Sequence, residues 1–182
     1  MKITIGGRAG SGKSTVARLV AEKLGLKHYS MGDLWREMAD ERGVSILELN
    51  RLVEKDKDID LETDRKQEEL GKREDDFVID SRLGFHFIPD SIKIFLDVGD
   101  DAGAERIFNA TRGKVEEYSS VEATKQELKK REESELKRYK KLYGVDYTDK
   151  SHYDAYIDTT SKSINEVVDN IVEKVKSRYS DS

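Results

Sequence analysis

A glycine-rich segment near the N-terminus carries the most specific chemical signal in the sequence. It reads GRAGSGKS from Gly7 to Ser14 and satisfies the pattern G-x-x-x-x-G-K-[ST]. A short apolar run at residues 2–6 precedes it, and an amphipathic helix is predicted to begin at about Lys13. A strand, a glycine-rich turn and a helix in this order are typical of a loop whose backbone N–H groups surround phosphate oxygens. We therefore predict that the segment binds a nucleoside triphosphate.

Individual residues of this loop have separate predicted roles. We expect Lys13 to reach the β- and γ-phosphates and the Ser14 hydroxyl to ligate Mg²⁺. The predicted nucleotide-binding residues are Gly7, Arg8, Ala9, Gly10, Ser11, Gly12, Lys13, Ser14 and Thr15. The alternative, a glycine-rich turn that holds no ligand, is disfavoured because the motif and its context agree.

Two arginines lie just after predicted strands, where open α/β sheets bind their ligands. Arg36 follows a strand at residues 27–30, and Gly32 and Asp33 before it supply a close backbone approach and a helix cap. Arg82 follows a buried strand, and its planar guanidinium suits a phosphate. Both are predicted to bind a second anion, although Arg36 alone can equally be a solvated surface charge.

Asp80 ends the strand that precedes Arg82. Two chemical roles are open to it: it can orient Mg²⁺-bound water or accept a proton from the acceptor substrate. The structural alternative is that its carboxylate caps the end of the strand.

A long charged helix carries a third candidate group. Arg131, Glu135 and Arg138 are spaced by four and three residues, which places them on one helix face. That face adjoins an apolar stripe, so these charges are predicted to face the protein and the two arginines to act in a lid that closes over phosphates. The alternative is a solvated helix with an internal ion pair. RNA binding by the basic run 137–141 is disfavoured, because no aromatic-rich recognition motif accompanies it.

Short apolar runs alternate with helical segments, a pattern that favours an α/β fold with a mainly parallel sheet. The predicted strands are residues 2–6, 27–30, 77–80, 92–97 and 155–158. The predicted helices are residues 13–24, three segments between 32 and 72, and residues 100–111, 119–142 and 163 onward. Asp33 and the capping boxes Ser45–Glu48, Ser119–Glu122 and Ser163–Glu166 are the predicted helix starts.

Composition excludes several classes of protein. The chain has 182 residues, a net charge of −5 and no cysteine, which disfavours a strongly basic nucleic-acid binder and excludes a disulfide scaffold. No apolar run approaches the length of a membrane span, which is about 20 residues. The guanine-reading Asn-Lys-x-Asp element of a regulatory GTPase is missing from the sequence. We expect a cytoplasmic monomer that binds neither membrane nor nucleic acid.

Nearly the whole chain resembles the cytidylate kinase family in its compact archaeal form. The matching blocks are GSGKSTVARLVAEKLGLKHYS, GDLWRE, VIDSRLGF, PDSIKIFLDVGDDAGAERI, KKREESELKRYKKLYGVD and YDAYIDTTSKS. The resemblance implies transfer of the ATP γ-phosphoryl group to CMP or dCMP. It also implies a three-layer P-loop kinase fold with a central parallel sheet. The core would comprise residues 1–31, 73–112 and 145–182, with a helical NMP-binding insertion at 32–72 and a helical lid at 113–144.

The resemblance also implies roles for individual residues. The loop that ends at Thr15 would hold ATP, Arg36 and Arg82 would bind the acceptor, and Arg131 and Arg138 would contact the phosphates from the lid. Glu135 stands where the family usually carries an acidic lid residue. The chain departs from the family at Arg8-Ala9, Met31 and Ser81-Arg82-Leu83. Two alternatives stay open: an adenylate-kinase-like enzyme with another acceptor, and a P-loop regulatory protein that is not a kinase.

Overall fold

The computed structural model describes residues 1–53, 57–111 and 118–180. Within these ranges, five parallel strands form one sheet in the order β2-β3-β1-β4-β5. The strands are β1 (Lys2–Gly7), β2 (Lys27–Ser30), β3 (Phe77–Asp80), β4 (Ile92–Asp97) and β5 (Ala155–Asp158). The central strands are continuous apolar runs because both faces of a parallel sheet are covered. The predicted parallel α/β sheet is confirmed.

Helices connect the strands as the hydrophobic pattern predicts. They are α1 (Lys13–Leu24), α2 (Met31–Glu41), α3 (Ile46–Val53), α4 (Lys57–Arg73), α5 (Gly84–Phe87), α6 (Asp100–Thr111), α7 (Val121–Tyr143) and α8 (Ile164–Ser180). The sequence pattern did not predict the single-turn helix α5 or the 3₁₀ turn Lys150–His152, because segments this short carry no hydrophobic period.

The sheet is covered on both faces, which gives the predicted three layers. On one face the apolar stripes of α1 and α8, including Val20 and Ile171, pack against Ile5 and its neighbours in the sheet. On the other face an aromatic cluster that includes Phe95 and Tyr139 joins β4 to α7. Each layer buries apolar surface that a bare sheet or helix would expose.

Two of the predicted capping boxes are confirmed. Ser45 and Glu48 exchange hydrogen bonds at the start of α3, with Glu48 N donating to Ser45 Oγ at 3.1 Å. Ser163 and Glu166 do the same before α8. Gly25 ends α1 in the left-handed conformation, at φ 68°, as predicted.

Two predicted helix starts are wrong by a few residues. Helix α2 begins directly after β2, so its cap is Ser30, whose Oγ accepts from the backbone N–H of Asp33. Asp33 instead lies in the first turn, where a negative charge complements the helix dipole. Helix α7 is capped by Ser120, not Ser119, because the extended residue next to the first helical turn is Ser120 (φ −163°, ψ 166°).

Helices α2, α3 and α4 have an apolar cluster of their own, separate from the core of the sheet. It contains Met38, Ala39, Leu49, Val53 and Ile59. These helices occupy the region predicted as the NMP-binding insertion, residues 32–72. The domain boundaries themselves stay predictions, and residues 113–117 at the start of the predicted lid lie outside the described ranges, as do residues 112, 181 and 182 of the predicted core.

None of the helices in the described ranges has the length and apolar character that crossing a membrane requires.

Candidate active site

A single cleft of about 600 Å³ brings most of the predicted functional residues together. It lies where the loops after β1, β2 and β3 converge, and helix α7 forms another wall. The predicted residues that line it are Ala9, Gly10, Gly12, Lys13, Ser14, Thr15, Gly32, Arg36, Asp80, Arg82 and Arg131. Residues more than one hundred positions apart thus meet in one cleft, as expected at the carboxyl ends of parallel strands.

The glycine-rich loop has the backbone shape that phosphate binding requires. Gly10 (φ 78°) and Gly12 (φ 85°) are both left-handed, and a Cβ on Gly10 would stand 2.4 Å from the carbonyl oxygen of Gly103. Helix α1 begins immediately after the loop, so its N-terminal N–H groups point into the cleft.

Lys13 spans the same loop. Its Nζ donates to the carbonyl oxygen of Arg8 at 2.8 Å. The pKa of Lys13 is lowered to about 7, mainly by burial and secondly by the neighbouring charge of Arg82, while the charge of Asp80 acts in the opposite direction. A polyphosphate in the cleft would add negative charge and favour the protonated amine.

Asp80 lies at the centre of a buried polar cluster. The parallel register pairs it with Ile5 of β1 and Ser30 of β2, and its side chain is 5% exposed. Ser14 Oγ donates to Asp80 Oδ1 at 3.0 Å, and His28 Nε2 lies 3.0 Å from Asp80 Oδ2. These neighbours hold the carboxylate beside the start of α1.

The Ser14 and Asp80 oxygens fit a magnesium ion that arrives with a nucleotide. Both are hard oxygen ligands, and Mg²⁺ is usually held by one or two such groups together with substrate phosphates. Among the described residues, no group of three or more His, Cys, Asp or Glu side chains is arranged to hold a metal. The phosphates would therefore supply several of the ligands.

Glu135 bridges an arginine of the loop after β3 and an arginine of α7. Its Oε2 lies 2.7 Å from Arg82 Nε, and its Oε1 accepts from Arg131 Nε at 2.9 Å. Burial of Glu135 opposes its ionisation, but Arg82 and Arg131 outweigh that effect and hold its pKa below the ordinary value. Burial likewise opposes the charge on Arg82, and Glu135 more than offsets it, so the pKa of Arg82 is raised. The bridge joins α7 to the loop after β3.

The side chain of Arg8 points away from the phosphate loop. Its Nε and Nη2 donate to both carboxylate oxygens of Glu132 on α7, each at 2.8 Å, and Nη2 also donates to Asp100 at the start of α6. Glu132 is the largest cause of the raised pKa of Arg8. Arg8 therefore ties the start of the loop to α6 and α7.

Four other predicted residues lie outside the large cleft or at its edge. Asp33 forms an ion pair with Arg36, whose side chain is 54% exposed. Arg138 does not line the cleft; its guanidinium carbon lies 5.1 Å from the centre of the Tyr139 ring, and its charge helps to lower the pKa of Glu135. Gly7 and Ser11 do not line the cleft, since Gly7 abuts the backbone of β4 and Ser11 is buried beneath the loop.

Several residues in or beside the cleft were not singled out from the sequence. His28 precedes Ser30 by two positions on β2, and this period-2 spacing was the one available signal for it. Arg106 donates to the carbonyl oxygens of Gly10 and Thr159 beside the phosphate loop. Thr63, Asp64 and Gln67 face the cleft from α4, where nothing in a mostly charged helix distinguished them.

This arrangement can bring two phosphorylated molecules together. The cleft is lined by the glycine-rich loop with Lys13 and by Ser14 and Asp80, whose oxygens could ligate a metal ion. It is also lined by Arg36, Arg82 and Arg131, which are not part of that loop. The sheet order and this cleft define the protein as a P-loop kinase. Its residues 2–161 match the sequence model of the cytidylate kinase-like family, and the chain belongs to that family.

Individual relatives agree with this assignment. A cytidylate kinase from Methanothermobacter thermautotrophicus is 40% identical over 159 residues, which are 87% of this chain and 95% of that protein. A cytidylate kinase from Natronomonas pharaonis is 43% identical over 165 residues, covering 90% of this chain and 83% of the relative. The shikimate kinase structure from Bacteroides thetaiotaomicron superposes with a TM-score of 0.65 at 13% identity, over 97% of this chain and 98% of that one. At that identity the superposition confirms the P-loop kinase fold.

Proposed function

We propose that the protein transfers the γ-phosphoryl group of ATP to CMP or dCMP and releases ADP with CDP or dCDP. The observation that carries the proposal is the single cleft shared by the phosphate loop and by Arg36, Arg82 and Arg131. Membership of the cytidylate kinase-like family favours this reaction over an adenylate-kinase-like enzyme and over a non-catalytic P-loop regulator.

The residues divide into a donor set and an acceptor set. Lys13 and the backbone of the loop bind the β- and γ-phosphates of ATP, and Arg36 and Arg82 bind the phosphate of the acceptor. Arg131 contributes charge where the transferred group passes between them, and Arg138 joins it when α7 moves toward the cleft. Positioning and electrostatic stabilisation supply most of the rate enhancement, because phosphoryl transfer needs little covalent assistance.

Ser14 and Asp80 are the residues that would hold Mg²⁺. Kinases with this fold generally use ATP with a divalent metal, which neutralises charge on the β- and γ-phosphates. Asp80 is held by Ser14 on one oxygen and by His28 on the other, so its position is set before the nucleotide enters. The same carboxylate is the candidate acceptor for a proton from the monophosphate.

A coupled assay of ADP release across a panel of monophosphates tests the proposal. We expect CMP and dCMP to give the highest kcat/KM, UMP a lower value and AMP the lowest. The highest kcat/KM with AMP would replace the proposal with an adenylate-kinase-like activity. Slow ATP turnover that no monophosphate stimulates would indicate a regulatory protein instead.

We also infer a monomer, because one chain supplies every residue assigned here to the two substrates. Light scattering during turnover tests this, and a strict dependence of kcat on protein concentration would contradict it.

A further inference from the structure

Three buried polar residues of α4, namely Thr63, Asp64 and Gln67, face the cleft, and two of them carry a carboxylate and an amide. Asp64 and Gln67 lie one helical turn apart, are 8% and 4% exposed, and line the same cleft as the phosphate loop. The exposed face of this helix carries charges such as Glu68, which pairs with Lys72 in solvent. A buried carboxylate and amide that line a ligand cleft can fix the orientation of a ligand through hydrogen bonds of matching chemistry.

A chain of hydrogen bonds orients both side chains. Ser81 Oγ donates to Gln67 Oε1, and Gln67 Nε2 donates to Asp64 Oδ1 at 3.3 Å. Tyr143, at the end of α7, donates its hydroxyl to Asp64 Oδ2. Because Ser81 occupies the amide oxygen, Gln67 presents its nitrogen, with two N–H bonds, on the side of Asp64. The pair therefore offers a carboxylate acceptor next to an amide donor.

We propose that Asp64 and Gln67 read the base of the acceptor nucleotide. Asp64 accepts a hydrogen bond from the 4-amino group of cytosine, and Gln67 Nε2 donates to the adjacent ring nitrogen N3. This inference rests on the proposed function, since it assigns the base of the monophosphate whose phosphate Arg36 and Arg82 bind. The carboxylate of Asp64 would repel a phosphate, so the phosphate lies toward the arginines and the base toward Asp64.

The pair distinguishes cytosine from uracil by polarity. Cytosine presents an amino donor beside the N3 acceptor, whereas uracil presents a carbonyl acceptor beside an N3–H donor. Uracil would therefore place its O4 against the Asp64 carboxylate and its N3–H against the Gln67 amide. A site built around buried polar groups rejects a ligand that leaves them mismatched, since each mismatched group loses its hydrogen bond without regaining water. Adenine shares the donor–acceptor order of cytosine, so Asp64 and Gln67 distinguish CMP from UMP and do not by themselves exclude AMP.

The first test is the pair of variants Asp64→Asn and Glu68→Gln. The asparagine amide has nearly the same shape as the aspartate and can donate to uracil O4. We expect kcat/KM for CMP to fall at least about 10²-fold and the UMP-to-CMP ratio of kcat/KM to rise by a similar factor. Glu68→Gln makes the same charge change on the exposed face of α4, and we expect it to leave that ratio unchanged.

Binding provides a readout that does not depend on turnover. Trp35 is the one tryptophan of the chain and lines the cleft, so its fluorescence reports nucleotide binding. We expect the dissociation constant of Asp64→Asn for CMP to rise and that for ATP to stay within about twofold of wild type, with circular dichroism confirming the fold. A loss of affinity for both nucleotides in equal measure would overturn the base-reading role.

The second test uses the wild-type protein, so it does not depend on a variant that folds. The ribonucleoside monophosphate of 2-pyrimidinone keeps N3 but lacks the 4-amino group of CMP. We expect its kcat/KM to be at least about 10²-fold below that of CMP. Equal values for the two would refute base reading by Asp64. If CMP itself is not phosphorylated, the proposed function fails. If CMP is phosphorylated, but Asp64→Asn leaves the UMP-to-CMP ratio of kcat/KM unchanged and the 2-pyrimidinone nucleotide is as good a substrate as CMP, only the inference about Asp64 and Gln67 fails.

Discussion

Replacing Glu135 with glutamine should destabilise the protein far more than its single lost charge suggests. The side chain of Glu135 is 5% exposed and lies between Arg82, 20% exposed, and Arg131, 37% exposed. The glutamine keeps the shape of the side chain but leaves two positive charges close together. The variant therefore tests whether Glu135 holds α7 against the loop after β3.

The magnitude follows from the burial of the two arginines. Removing one partner of a buried ion pair costs about 3–5 kcal/mol. Arg131 is partly screened by solvent, so we take the lower end, about 3 kcal/mol, for the whole bridge. For a chain of 182 residues this corresponds to a fall in Tm of roughly 6–12 °C, at about 2–4 °C per kcal/mol.

Thermal unfolding followed by circular dichroism measures the effect, and Glu133→Gln is the matched control. Glu133 is exposed two positions away on α7 and should behave as a surface substitution, within about 0.5 kcal/mol of wild type. The difference in Tm between Glu135→Gln and wild type should shrink when ATP is added, because the γ-phosphate restores negative charge beside Arg131. A Tm for Glu135→Gln equal to that of the control would refute the bridge as a stabilising contact.

Three further predictions concern the cleft and its connection to α7. Because the pKa of Lys13 is about 7 in the protein without nucleotide, ATP binding should take up a proton, and ATP affinity should fall as the pH rises above 7. Calorimetry in buffers of different ionisation enthalpy measures this proton uptake, and Lys13→Met should abolish it. In steady-state kinetics, Arg36→Ala should mainly raise the KM for the acceptor, whereas Arg131→Ala should mainly lower kcat, by at least about 10²-fold. The reverse pattern would assign acceptor binding to Arg131 and stabilisation of the transferred group to Arg36. Arg8→Ala and Glu132→Gln should be non-additive in a double-mutant cycle of unfolding free energies.

Sequence periodicity was sufficient to predict the framework of the fold. The strands around Ile5 and Ile94 are apolar runs, and the helix stripe through Val20 and Ile171 repeats at the helical period. Burial of these residues depends on their type and spacing, which a single sequence displays. The two misplaced caps, at Asp33 and Ser119, show the limit of local signals, since neighbouring residues of similar capping propensity compete and the geometry of the preceding segment selects one.

The place of the glycine-rich loop between β1 and α1 was also predictable, because its motif lies within eight consecutive residues. The direction of the side chains in this loop could not be predicted from the sequence. Arg8 belongs to the motif, yet its guanidinium reaches Glu132, 124 positions away, whereas Lys13 Nζ stays with the loop and donates to the Arg8 carbonyl oxygen. An arginine has enough length to reach several partners, and only the packing of α6 and α7 against the loop determines which one it meets.

The pairings across the cleft were decided by tertiary structure alone. The sequence predicted Glu135 and Arg131 as neighbours on one helix face, and Arg82 separately as an anion-binding residue. It could not indicate that the buried carboxylate of Glu135 joins both arginines, nor that Gln67 would meet Ser81 in the wall of the same cleft. Local propensity acts over a few residues, whereas the parallel order β2-β3-β1 brings the ends of distant strands together. The sequence therefore indicated which residues carry the chemistry, whereas the tertiary structure determined which partner each charged side chain meets.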